Sequence, residues 1–441
     1  MEASKYNYFT NYNERVICLN GISGKTFSLN KEEYAIFNEF LQETNKQDDN
    51  KYFTEFLLKN RFLVDNHSCE LDYLKEMNSK SVESDYYTLV INPTMKCNFN
   101  CWYCYEKHDG EYMNSDVLSR VKCHIDLKLK EQYYKDFCLG WFGGEPLLYF
   151  KKIVYPLSLY AKEKCQAENV NFQNSVTTNG SLINKKMIAE FDQIDLRHFQ
   201  ITLDGDKSTH DQIRNQRGNP SFDRIIQNII DICCLLPDSN ITLRINYTDE
   251  SIRTQFYNVL NVISMECRKQ ISVQFQRVWQ TYSINKDNEE AKKFLKDNED
   301  TLRKNGFSVS HNHNYSIFKG HVCYADRKNY ANINYDGNVF RCTARDYSPN
   351  NSFGYLNEKG EIIWKEDKLH NIDAKPYFDN VKCLECKYLP LCGGPCFQKA
   401  LSAIKNSEDF CVKNNLDTDV ETFIIQHYLS VKEYNKSLIA T

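Results

Sequence analysis

From residue 86 to about 305 the sequence alternates between short runs rich in β-branched and aromatic residues and longer amphipathic segments, and no other feature restricts the fold as much. Parallel strands joined by helical crossovers produce that alternation, because each crossover must return across the sheet and its helix then covers one face. Strands are predicted at residues 87–92, 137–142, 171–177, 198–203, 241–246 and 271–278. Helix-like segments open near Ser115, Asn184, Ser221, Ser251 and Asp287, and 148–167 is also helical in pattern. Six such units imply an α/β fold, a partial (β/α)6 TIM-like barrel that takes its ligands at the C-terminal strand ends.

The flanks read differently. Within residues 1–84, β-like runs at 8–9, 16–20 and 25–29 are separated by Gly21 and Ser23-Gly24. Two helical patterns follow, Tyr34, Phe37, Phe40 and Leu41, then Phe53, Phe56 and Leu57, so a small module with its own core is expected. The polar stretch 75–85 reads as a linker. Residues 310–415 lose periodicity and gather cysteine, glycine and turn residues, which predicts a segment stabilised by metals. A closing helix is expected near 418–434. The predicted domains are therefore 1–84, 85–309, 310–415 and a C-terminal helix in 416–441.

At 441 residues and 41% apolar content the chain can bury more than one core. No apolar run approaches a membrane span, and the start around Glu2, Lys5 and Tyr6 lacks a secretory core, so a cytoplasmic location without membrane contact is expected. A net charge of −4 supplies no basic field to gather phosphate, which argues against nucleic acid as partner. Eighteen cysteines in a long chain of this kind point to metal or redox chemistry rather than disulfides.

Cys97, Cys101 and Cys104 follow the first predicted strand directly, within Cys97-Asn98-Phe99-Asn100-Cys101-Trp102-Tyr103-Cys104. Three is the informative number. A four-iron cluster held by three thiolates leaves one iron open to a ligand, as a catalytic zinc keeps one position open. From the loop alone, a structural zinc completed by His108 is the other reading.

Cys-x-x-x-Cys-x-x-Cys with an aromatic residue before the last cysteine resembles the motif of radical S-adenosylmethionine enzymes. The resemblance implies that Cys97, Cys101 and Cys104 hold a 4Fe-4S cluster whose open iron chelates the amino and carboxylate groups of the cofactor's methionine. It implies that Tyr103 lies by the adenine, and that reductive cleavage of the sulfonium releases a 5′-deoxyadenosyl radical.

Further motifs fall at predicted strand ends. Phe142-Gly143-Gly144-Glu145-Pro146 ends the second strand, where glycines let the backbone approach a ligand and Glu145 can accept from an ammonium group. It resembles the family's segment for the methionine amino group. Thr177-Thr178-Asn179-Gly180 and Leu203-Asp204-Gly205 end the third and fourth strands, and His210-Asp211, Arg214 and Ser221-Phe222-Asp223 follow. Each alone is a simple turn; together they resemble the family's barrel. Thr178, Asn179 and Asp204 thus join the candidate cofactor contacts. Arg214, with Arg244 and Asn246 of the fifth strand, is a candidate for the cofactor's carboxylate or ribose, and a structural ion pair is the competing role for each arginine.

Seven more cysteines cluster late in the chain: Cys323, Cys342, Cys383, Cys386, Cys392, Cys396 and Cys411. Their spacing resembles the SPASM domain, in which Cys383, Cys386, Cys392 and Cys411 would ligate one auxiliary 4Fe-4S cluster and Cys323, Cys342 and Cys396 the other. The implied cofactors are S-adenosylmethionine and three 4Fe-4S clusters. Seven thiolates leave the first auxiliary cluster one short: Ile317 and its neighbours supply none, and His321, water or a substrate group can take the place. A pair of zinc sites is the alternative for this array. The other eight, Cys18, Cys69, Cys123, Cys138, Cys165, Cys233, Cys234 and Cys267, read as core filling.

Members of the family with a SPASM domain typically modify peptides or proteins. Residues 1–84 are similar in strand–helix order to the winged-helix-like recognition element (PqqD-like) that binds a precursor's leader, and an exposed strand there can capture it by β-augmentation. A structural cap is the alternative. A DNA-binding winged helix is disfavoured, because Glu32, Glu33, Glu39 and Glu43 make the first helix acidic.

The resemblance implies a maturase that installs a C–C or thioether crosslink in a ribosomally synthesised precursor peptide, fed by a flavodoxin or ferredoxin, its auxiliary clusters removing the surplus electron. The alternatives are side-chain oxidation as in anaerobic sulfatase maturases, and a noncatalytic iron–sulfur or zinc protein. In the sulfatase-maturing relatives an Asp base follows the cysteine equivalent to Cys342; Thr343 stands there, with Asp346 nearby.

Overall fold

The structure is a computed structural model that describes residues 1–43, 47, 50–131, 133–215, 218–281, 289–311, 323–369, 378, 380–392, 394, 396, 398, 400–402, 411 and 419–439. The chain forms two compact units. One gathers Met1–Glu83, His313–Lys328 and Asp373–Thr441, and the other Ser84–Asn312 and Asn329–Ile372.

In the first unit, β1 (Glu2–Ala3) pairs with β5 (Leu63–Val64), and β2 (Asn7–Tyr12), β3 (Arg15–Asn20) and β4 (Thr26–Leu29) form an antiparallel meander. Helix Lys31–Gln42 opens with a capping box between Asn30 and Glu33, and helix Lys51–Lys59 follows. The stretch 75–85 is mostly not a linker. Helix His67–Val82 runs through it, N-capped by Asn66, with Leu71, Leu74 and Met77 turned into an apolar cluster. Its few apolar residues keep helical spacing among many polar ones, so composition hides what periodicity shows. The closing helix, Val420–Ile439, packs Phe423 and Ile424 against Tyr6, Tyr8, Ile17 and Leu19.

The second unit is built on one sheet of order β12-β11-β10-β9-β8-β7-β6-β13-β14-β15-β16. Its middle is the expected run of six parallel strands: β6 (Tyr86–Asn92), β7 (Asp136–Trp141), β8 (Asn171–Thr178), β9 (Leu196–Asp204), β10 (Asn240–Tyr247) and β11 (Ile271–Arg277). Strands β12 (Ser308–His311) and β13 (Tyr330–Asn334) extend it in parallel at either edge. An antiparallel tail of β14 (Asn338–Phe340), β15 (Gly354–Leu356) and β16 (Ile362–Trp364) completes it. The crossover helices begin where capping chemistry allows: Asn114 and Asn184 accept from the amides of Val117 and Met187 at 2.9 and 3.0 Å.

Alternation along β6–β11 separates two faces. Leu89, Ile91, Leu139, Trp141, Ile201, Leu203, Leu243, Ile245 and Val273 are buried in one cluster with the crossover helices. Each such side chain contributes about 1.5–3 kcal/mol of burial. The intervening positions on the other face are half-buried and mostly polar.

Candidate active site at the C-terminal strand ends

After β6 the chain enters the three-cysteine loop. Thr94 anchors it, donating to the Glu111 carbonyl at 2.9 Å and accepting from the Lys96 amide at 3.0 Å, and the Cys104 amide donates to the Cys101 carbonyl at 3.0 Å. All three cysteines line one cavity of about 180 Å³. Burial pushes the Cys97 thiol up to about 12, with the Glu145 charge adding to it, and the Cys104 thiol to about 11; Cys101 is raised too. Such thiols stay protonated in the bare protein, so positive charge from a bound metal is what would make them ligands.

The donor set speaks against one zinc shared by the three cysteines and His108. Thiolates around one tetrahedral zinc lie about 3.8 Å apart, from a Zn–S bond of about 2.3 Å. Among the described residues, the acidic, cysteine and histidine groups whose ligand atoms come within 4.8 Å of one another are Cys104, Glu106 and His108. Cys97 and Cys101 stand outside that set, so the Cys97, Cys101, Cys104, His108 site is not assembled. His108 Nδ1 lies instead 3.1 Å from the Met95 carbonyl.

The glycine pair after β7 is required by space. Gly143 (φ +80°) and Gly144 (φ +53°) adopt left-handed backbone, and a Cβ on Gly144 would lie 2.3 Å from the Lys96 carbonyl. This turn presses against the cysteine loop, and the Gly144 amide donates to Glu106 Oε2 at 2.6 Å. Burial pushes Glu106 up to about 7, and the Gly144 amide partly offsets that.

Glu145 has a structural task. It is fully buried and accepts from Thr178 Oγ1 at 2.8 Å, the Asn179 amide at 2.8 Å and the Leu147 amide at 3.0 Å. It clamps the ends of β7 and β8 together. Asn179 Nδ2 donates to Asn98 Oδ1 at 2.8 Å and stands 4.0 Å from Cys97 Sγ.

Across the cavity, Tyr103 donates to Asp204 Oδ2 at 2.5 Å and receives Arg214 Nη2 at 2.7 Å and Asn246 Nδ2 at 3.0 Å. Arg214 Nε is 2.9 Å from Asp204 Oδ2, so Arg214 does form a structural ion pair. Asp204 Oδ1 is buried without a partner. Arg244 Nε donates to Asn246 Oδ1 at 3.1 Å.

Of the sequence candidates, Cys97, Cys101, Tyr103, Cys104, Gly144, Thr178, Asn179, Arg214, Arg244 and Asn246 line this cavity, whereas Gly143, Glu145 and Asp204 are not among its lining residues. Glu106, Gln200, Thr202, Gln276, Arg277 and Gln280 also line it and were not singled out by sequence. Strand parity was the available signal for three of them: Gln200 and Thr202 share the inward face of β9, and Gln276 lies opposite Asn246.

In the C-terminal array, Cys342 follows β14, Cys383 sits in helix Val381–Leu384 capped by Asn380, and Cys392 ends helix Leu389–Cys392. Cys386 Sγ accepts from the Tyr388 amide at 3.4 Å. Cys323 is half-buried, and Cys396 and Cys411 are exposed. No three of these sulfurs meet within single-ion distance among the described residues. Ile317 and His321 lie outside the described residues. Asp346 is turned to its own loop, accepting from the Ser348 amide at 3.0 Å and Asn351 Nδ2 at 2.9 Å; the Ser348 hydrogen bond holds its pKa below the usual range. Core filling describes the buried Cys18, Cys165, Cys233 and Cys267, but Cys69 and Cys234 are exposed on their helices.

Residues 91–254 match the radical SAM superfamily, and residues 323–387 match the SPASM iron–sulfur cluster-binding domain. The chain therefore carries a radical SAM domain followed by a SPASM domain. It is 26% identical over 166 residues to Fe-coproporphyrin III synthase of Methanosarcina barkeri, covering 37% of this chain and 38% of that protein. It is 28% identical over 140 residues to the serine-type anaerobic sulfatase-maturating enzyme of Klebsiella aerogenes, covering 30% and 33%. It thus spans well under half the length of both relatives. Native anSMEcpe with bound AdoMet and Kp18Cys peptide has a similar fold, at 18% identity and a TM-score of 0.54, over 80% of this chain and 99% of that one. Among the described residues no helix is long and apolar enough to cross a membrane.

Proposed function

We propose that this protein is a radical S-adenosylmethionine enzyme that crosslinks a ribosomally made precursor peptide, working in the cytosol with a flavodoxin or ferredoxin as electron donor. The observation that carries the reading is the convergence of Cys97, Cys101 and Cys104 with Gly144, Thr178 and Asn179 on one cavity. The donors fit a cluster: three soft sulfurs too dispersed for one ion, on a loop against which a glycine turn packs where a Cβ would not fit.

A 4Fe-4S cluster on these thiolates, with S-adenosylmethionine bound beside it, supplies reductive sulfonium cleavage and hence a 5′-deoxyadenosyl radical. The chain's own work is placement and exclusion of water. Glu145 ties the β7 and β8 ends so that Thr178 and Asn179 face the cysteines. The Tyr103, Asp204, Arg214 and Asn246 network fixes the opposite wall and holds the Tyr103 ring, which would contact the cofactor's base. Cys323, Cys342, Cys383, Cys386, Cys392, Cys396 and Cys411 would hold two auxiliary clusters, and residues 1–84 would bind the leader. Peptide as substrate rests on analogy, since anSMEcpe, of similar fold, holds AdoMet and a peptide together. The formylglycine alternative has less support, because Thr343 stands where the sulfatase-maturing relatives carry the Asp base and the nearby Asp346 is turned to its own loop, accepting from Ser348 and Asn351.

Anaerobic reconstitution with dithionite and S-adenosylmethionine tests the reading. The protein should release 5′-deoxyadenosine, and Cys101→Ala should cut that by at least about 100-fold while auxiliary iron stays bound. A co-expressed precursor should lose two hydrogens and acquire a block to fragmentation. Retained nucleoside release in Cys101→Ala would refute the assignment.

A further inference from the structure

Three arginines, Arg214, Arg244 and Arg277, line the cavity in front of the cysteines. Two bring their own counter-charge. Arg214 Nε lies 2.9 Å from Asp204 Oδ2, and Arg277 Nη2 lies 2.5 Å from Asp249 Oδ1. Arg244 differs: its Nε donates to the neutral Asn246, and no carboxylate among the described residues pairs with it. Burial lowers its pKa, and a guanidinium drawn partly out of water without a counter-ion favours a ligand that provides one.

Position distinguishes Arg244 from Arg214. Arg214 Nη2 donates at 2.7 Å to Tyr103 of the cysteine loop, whereas Arg244 stands on β10, four strands along the sheet from β6, which leads into that loop. Around Arg244 the lining is neutral and rich in hydrogen bonds: Gln200, Thr202, Asn246 and Gln276, with Thr202 directly opposite it in register. The one carboxyl among the described lining residues, Glu106, is engaged by the Gly144 amide.

We propose that Arg244 is a specificity residue that receives a carboxylate of the substrate, so that the peptide enters this cavity with an acidic side chain. This rests on the reading of the protein as a peptide-modifying enzyme. The planar guanidinium can offer parallel N–H donors to a carboxylate, and the neutral neighbours can bond the peptide's amides without competing charge.

Anaerobic titration calorimetry on the reconstituted full-length protein, saturated with S-adenosylmethionine, tests this with acetyl-Gly-Glu-Gly-amide against acetyl-Gly-Gln-Gly-amide. The wild type should prefer the glutamate peptide by about tenfold. Arg244→Gln should bring the ratio near one, and Arg244→Lys should keep part of it. Equal affinities in the wild type overturn the proposal, as does a preference that survives Arg244→Gln. A preference seen only without S-adenosylmethionine also overturns it, by giving the carboxylate site to the cofactor. Nucleoside release by the wild type is measured alongside; its failure would sink the enzymatic reading while leaving the calorimetric comparison intact.

Discussion

The two faces of strands β6–β11 carry different burdens. On the helix-covered face, Leu139, Leu203 and Leu243 are wholly buried in one continuous apolar cluster. On the other, Gln200, Thr202, Arg244 and Gln276 stand half-buried or nearly so around a polar cavity. Strand parity alone decides which a residue serves, so stability and chemistry occupy alternate positions of the same strands. Asp204 crosses that division, because it faces the cavity network yet is buried in an ion pair.

The largest expected effect tests that exception. Asp204→Ala strands the Arg214 charge and should cost about 4 kcal/mol, read by urea unfolding with Trp141 as a buried fluorescent reporter. A loss under about 1 kcal/mol would show that the cavity network contributes no stability. Leu243→Ala, on the covered face, should cost about 3 kcal/mol in the same assay.

Acid sharpens the comparison from the covered side. His124, held between Tyr87 Oη and the Gly360 carbonyl at 2.7 Å each, has its pKa lowered by burial from 6.5 to about 4. The folded state favours the neutral ring, so this contribution is complete above pH 6.5 and fades as pH falls toward 4. The full loss is on the order of 3 kcal/mol. In urea titrations from pH 7.5 to 4.5, His124→Gln should show a shallower decline than wild type; parallel curves would mean the ring is not the sensor. Smallest of all, Gln200→Ala should change stability by less than about 0.5 kcal/mol. A larger loss would blur the two faces.

The apolar face was the legible one. Its alternation located all six barrel strands to within about two residues, as expected of strong periodicity. The cysteine loop was legible too, because thiolate spacing is unusual enough to stand out. The protein partners of Glu145 were not legible, because a motif cannot say which way a carboxylate turns, and here three donors from its own chain hold it. Glu106 went unnoticed because its importance comes from the Gly144 amide, distant in sequence. The helix over 75–82 was hidden by polar composition.

The helix Val420–Ile439 lies on the meander formed by the first thirty residues, and Tyr428 Oη meets Ser28 Oγ across 400 positions of chain. At about 5–20 residues per second a ribosome needs roughly 20–80 s to deliver that partner. Until then Tyr6, Ile17 and Leu19 lack the part of their cover that Phe423 and Ile424 supply. The meander is thus completed only long after its own residues are made, and a stop codon before Val420 would leave a greasy sheet in search of other company.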